Sequence, residues 1–194
     1  MGQYYKAIAL DNNQFLSPWE YDNGAKLMEH SWLKNDFVSA VESQLIPGGL
    51  WHKTRIVWAG DYADPDNDNI KNLYQQYGSE EAEACNVSHE VEEKAMLFGK
   101  VNKYGFGRFI VNHTQNQYID KATLPKDKDG WTIHPLPLLT CEGNGRDGGD
   151  FRGDNPWIGK WARDVISIEK KLPVRKMKPF KDFKYEQIFP DFKE

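Results

Sequence analysis

The chain has 194 residues, 39% hydrophobic, 13% aromatic and 28% charged, with a formal net charge of −4. That composition supports a buried core under a solvated surface; it excludes a disordered chain, and the acidic balance gives no general attraction to polyanions. No apolar run reaches membrane-spanning length, residues 1–10 lack the charged-then-apolar layout of a secretory signal, and cysteine is confined to Cys85 and Cys141, so a reducing cytoplasm is expected and no membrane partner.

In chain order, KAIALDNNQFL from Lys6 predicts a β-hairpin: an apolar run, an Asn-rich turn and a Gln-aromatic-aliphatic return. A third strand is expected to end near Glu29 in KLMEHS. NDFVSAVESQLI then places Phe37, Val38, Val41 and Leu45 at helical spacing behind an Asn35 or Asp36 cap, and GLWHKTRIVW predicts a strand opening at Trp51. DNDNIKNLYQQYGSEEAEAC predicts a capped helix with Ile70, Leu73, Tyr74 and Tyr77 on its apolar side, and an acidic helix follows to Lys94.

Beyond it the plan recurs. RFIVNHTQNQYI from Arg108 matches the first hairpin, LTCEGN aligns Glu142 with Glu29, and GKWARDVISI aligns Gly159 with Gly49, Trp161 with Trp51 and Ile166 with Ile56. Asp36-Phe37 aligns with Asp150-Phe151, which sets the glycine-rich stretch from Cys141 to Trp157 where the first half has its helix. The repeated order predicts an α+β fold of two related β-rich halves, packed pseudo-symmetrically with inserted helices. The expected divisions are residues 1–66 and 101–172 for the halves, 67–100 for a helical connector and 173–194 for a basic, aromatic tail that clamps onto the body or a partner.

The segments MGQYYKAI, NGAKLMEHSW, RIVWAGDYAD, LLTCEGNGRDGGDFRG and WARDVISI resemble a group of bacterial and phage proteins that begin Met-Gly-Gln-Tyr and have no assigned activity. The resemblance spans both halves and implies a shared fold and a bacterial host cell but no activity; sequestering a ligand would suit a counter-defence role in a phage setting, which the resemblance permits. His52 and Lys53 depart from the small-plus-acidic pattern of the group's strand.

The glycine-rich stretch carries the clearest binding chemistry. Gly143, Gly145, Gly148, Gly149 and Gly153 leave backbone amides uncovered, Arg146 and Arg152 supply forked donors for phosphate, and Trp157 and Trp161 supply stacking faces. The expected ligand is small, phosphorylated and nucleotide-like, held by Glu142, Asn144, Arg146, Asp150, Arg152, Trp161 and Arg163, with Glu29 opposite. Asp147, Asp150 and Asp154 oppose phosphate, and a turn cross-linked by its own Arg–Asp pairs is the competing account. A hydrolase using Glu29, Glu142 or Asp61, with His30 and His52 nearby, is the enzymatic alternative. No cofactor or metal is expected: the Asp spacing fits no EF-hand and Cys85-x3-His89 lacks a second ligand pair. The lysine-aromatic tail is a candidate contact for a host protein, whereas its prolines and acids disfavour nucleic acid.

Overall fold

The computed structural model describes residues 3–21, 24–66, 70–78, 85–86, 103–127, 129–143, 158–172 and 176–181. The fold is α+β. Its strands are β1 (Tyr5–Ala9), β2 (Gln14–Leu16), β3 (Thr54–Gly60), β4 (Cys85–Asn86), β5 (Lys103–Phe106), β6 (Phe109–Asn112), β7 (Gln117–Asp120), β8 (Cys141–Glu142), β9 (Asp164–Glu169) and β10 (Lys178–Pro179). The described helices are α1 (Leu27–His30), α2 (Asp36–Leu45), α3 (Leu73–Gln76) and α4 (Pro135–Thr140), beside three short 3-10 turns.

One mixed sheet runs β10-β7-β6-β9-β3-β1-β2-β4, with β8 added alongside β3. At its centre β3 and β9 pair antiparallel, with Arg55 opposite Val165. Outward from each lies an antiparallel hairpin, β1–β2 or β6–β7, and beyond each hairpin a short parallel edge strand, β4 or β10. Both hairpin turns place an asparagine in the left-handed region, Asn13 at φ 52° and Asn116 at φ 54°, a conformation asparagine tolerates better than branched residues. Gln14 and Gln117, each the first residue of its returning strand, accept from the indoles of Trp51 and Trp161 at 2.9 and 3.1 Å.

Strand alternation sends Ala7, Ala9, Ile56, Trp58, Ile110, Ile166 and Ile168 into a core shared with α2 and α4. Trp51, Trp58 and Trp161 are fully buried, and large apolar side chains of this kind contribute about 2–3 kcal/mol each. The opposite alternation sends Ile8, Phe15, Val57 and Ala59 to the other face, where Leu73 and Tyr77 cover them.

Helix α2 forms where its periodicity places it, with Asn35 Oδ1 accepting from Val38 N at 3.2 Å. It is anchored by Glu42, which lies on its polar side and is nevertheless buried. Glu42 Oε1 accepts from Lys121 Nζ and, at 2.8 Å, from His134 Nε2, while Oε2 accepts from Phe106 N at 3.1 Å. His134 Nδ1 accepts the Leu136 amide at 3.2 Å as the N-cap of α4, so the proton of this imidazole sits on Nε2. Burial alone pushes the Glu42 carboxyl up; Lys121 and His134 overcome it and hold the group charged.

Three expectations are corrected. KLMEHS forms α1 rather than a strand, because the Glu29 side chain turns back to accept from Lys26 N at 3.0 Å and satisfies an amide at the helix start. In LTCEGN, Leu139 and Thr140 end α4, started by His134 and Pro135, and the strand expected to end at Glu142 is only the two residues Cys141 and Glu142 beside β3. The glycine-rich stretch expected in place of a helix lies, from residue 144 to residue 157, outside the described residues. Ile70 is 95% exposed and precedes a single helical turn, because Asn72 is the N-cap and leaves Ile70 outside the helix. The expected acidic helix to Lys94 lies outside the described residues. The tail meets the body where it is described: β10 pairs with β7, and Phe180 packs edge-on against Trp161 at 5.3 Å.

Candidate functional site

Of the residues expected to hold ligand, Asn144, Arg146, Asp150 and Arg152 lie outside the described residues, and the rest are distributed differently from expectation. Arg163, at φ 63° in the turn before β9, donates from Nε and Nη2 to Glu142 at 2.6 and 2.7 Å, and from Nη1 and Nη2 to Asp66 at 2.8 and 2.7 Å. Hydrogen bonds from Glu142 and then Asp66 raise the Arg163 pKa above its ordinary value. Among the described residues, this triad of one cation and two carboxylates carries net negative charge.

Trp161 is fully buried, its indole donated to Gln117 and its ring packed on Phe180, so it has no face for a ligand. Its stacking role is withdrawn. Glu29 accepts from Lys26 N and Glu142 from Arg163, so each of these acids already has a partner. Asp61 Oδ1 accepts from Tyr4 N at 3.0 Å, and His30 is enclosed between Gly24 O and the Trp58 indole, each at 3.0 Å. Each proposed acid or base is thus committed to its own local structure.

A different residue stands out. Lys6 occupies the sheet face of Ile8 and Phe15, where alternation within YKAIA forces a cation among apolar neighbours. Only 8% of Lys6 is exposed. Its ammonium donates to Tyr77 O at 2.5 Å and lies 3.9 Å from the Tyr74 ring centroid and 5.2 Å from that of Phe15. Among the described residues no carboxylate lies within ion-pair distance of it, in contrast to the buried Lys121, which Glu42 neutralises. Burial without a counter-charge lowers the Lys6 pKa to about 8.

Lys6 also lines a cleft of about 540 Å³, together with Ile70, Lys71, Tyr74, Gln75 and Gly78. Asn72 and Gln75 cap each other's backbone at the start of α3 and set Tyr74 over the lysine. Gly78 has φ 99°, and a Cβ there would lie 3.0 Å from Lys6 Nζ, so a side chain at this position would close over the amine. Lys6 was not among the expected site residues; its signal in the sequence is a lysine at an inward position of an apolar strand.

A second polar group lies on the same sheet face in the other half. His113 Nε2 is 2.8 Å from Ser167 Oγ, Ser167 donates to Glu169 Oε1 at 2.9 Å, and His52 Nε2 is 3.0 Å from that oxygen. Ser167 is fully buried, and the carboxylate binds the hydroxyl rather than orienting the imidazole, which is the wrong order for a nucleophilic triad. No group of three or more metal-binding side chains is assembled among the described residues, and no described helix is long and apolar enough to cross a membrane. Comparison of the chain with protein-family models, curated proteins and solved structures gave no match.

Proposed function

We propose that the protein binds a small anionic ligand, of the phosphorylated class, in the cleft floored by Lys6. The observation that carries this reading is the charge imbalance at Lys6: a nearly buried ammonium has a carbonyl and ring faces for company and no carboxylate among the described residues. Buried charges are ordinarily paired because desolvation is costly, and an incoming phosphate supplies the missing partner. Lys71 adds a second cation to the rim, Ile70 and Tyr74 supply apolar surface, and Gln75 a polar contact.

Titration calorimetry with nucleotides and other phosphorylated small molecules tests the site. Lys6→Met is expected to weaken binding by about tenfold or more, the range of a lost charge-assisted contact, while Arg146→Ala/Arg152→Ala leaves it within about twofold. The reverse pattern would move the site to the glycine-rich stretch. Recovery of unaltered ligand after denaturation is expected for a binder, and altered ligand would favour the hydrolase reading.

A further inference from the structure

We propose that Lys6 is a carbonyl-reactive amine, and that the ligand class of its cleft includes small aldehydes or ketones bearing an anionic group, captured as an imine. The inference rests on the anion-binding reading above and extends it from charge to bond formation. Three features of the cleft favour it. The apolar and aromatic walls of Phe15, Tyr74 and Tyr77 penalise the ammonium relative to the free amine, which is how lysines are made nucleophilic near neutral pH. The Tyr77 carbonyl accepts from Nζ and holds the nitrogen at one place, an interaction the neutral amine keeps through one N–H. Lys6 itself lines the cleft beside Tyr74 and Gly78, so its side chain borders the space that a carbonyl ligand would enter.

The chemistry balances without a redox partner. Lys6 gives one proton to solvent; the nitrogen lone pair attacks the carbonyl carbon, and the C=O π pair moves to oxygen. A proton passes from nitrogen to that oxygen, and loss of water leaves the C=N bond. Lys71 lines the same cleft.

The test uses the full chain with pyridoxal 5′-phosphate as the probe, trapped by cyanoborohydride and mapped by peptide mass. Pyridoxal, lacking the phosphate, and succinic semialdehyde, bearing a carboxylate, separate the anion requirement from the aldehyde. The expected result is labelling of Lys6 about tenfold or more faster than other lysines, with a pH profile rising through about 8, slower labelling by pyridoxal, and loss of the fast site in Lys6→Arg with the circular dichroism spectrum unchanged. Labelling spread over exposed lysines with Lys6 spared would overturn the inference. If non-carbonyl phosphates still bind in a Lys6-dependent way in that event, the anion site stands and only imine formation falls. If Lys6 labels fast while no such anion binds, the imine inference stands and the anion reading falls.

Discussion

At the scale of residues, two lysines enter the interior on different terms. Lys121 is neutralised by Glu42, whereas among the described residues Lys6 has a carbonyl and aromatic rings and no carboxylate. A structural lysine would be expected to stabilise the fold; an uncompensated one costs stability that a purely apolar residue would not. Lys6→Met is therefore expected to melt at or above the wild-type temperature at pH 7, and a fall of several degrees would mean the lysine is a packing clamp. Because the folded-state pKa of Lys6 lies near 8, below the unfolded value, the unfolded state holds the extra proton between those limits, and the wild type should gain stability as pH rises from about 8 towards 10.5. His30 gives a trend at the acidic end. Burial lowers its pKa to about 4 against a Gly24 hydrogen bond that opposes the shift, so stability is full above about 6.5 and is lost as pH falls towards 4. The loss expected from His30 is up to roughly 3 kcal/mol, and urea unfolding midpoints between pH 7 and 4.5 should show it in the wild type and less in His30→Gln. Neither environment was legible in the sequence, since burial of Lys6 and His30 depends on α3 and on Trp58, which are distant along the chain. Trp161 was misread for the same reason: an exposed stacking tryptophan and a buried one look alike until Gln117 and Phe180 are placed beside it.

At the scale of elements, legibility followed length. Helix α2 was readable because ten residues repeat an apolar pattern behind an asparagine cap. The four residues of α1 and the six of α4 are too short for a period to show, and their starts depend on Glu29 accepting from Lys26 N and on a histidine cap rather than on the usual Ser, Thr, Asp or Asn. The buried Glu42 was invisible for a related reason, because a glutamate on the polar side of an amphipathic helix is normally solvated. In the fold it joins α2 to Lys121, to the amide of Phe106 and, through His134, to the start of α4. Gly105, at φ 83°, is required at that junction, since a Cβ would fall 2.0 Å from Glu42 Oε2. Glu42→Gln keeps the shape and removes the charge, leaving Lys121 buried without its partner; a loss of about 3–5 kcal/mol in urea unfolding is expected, and a change below about 1 kcal/mol would contradict the anchoring role.

At the scale of the whole molecule, hairpins and the Trp51 and Trp161 positions were legible because turn chemistry and strand alternation are local. The antiparallel junction of β3 with β9 was not, since its register is set between strands more than a hundred residues apart. The two sides of the sheet's second face also differ in ways no motif announced. Val57 and Ala59 on β3 lie under Leu73 and Tyr77, whereas β9 carries Ser167 and Glu169 within a histidine network. It is on the apolar side of that contrast that Lys6 is isolated, and the functional reading depends on this placement. The most direct measurement is an NMR titration of the Lys6 side chain, assigned by comparison with Lys6→Arg. The account predicts a midpoint near 8 that moves upward when an anionic ligand fills the cleft. A midpoint at the ordinary lysine value of about 10.4, unmoved by any anion, would contradict it.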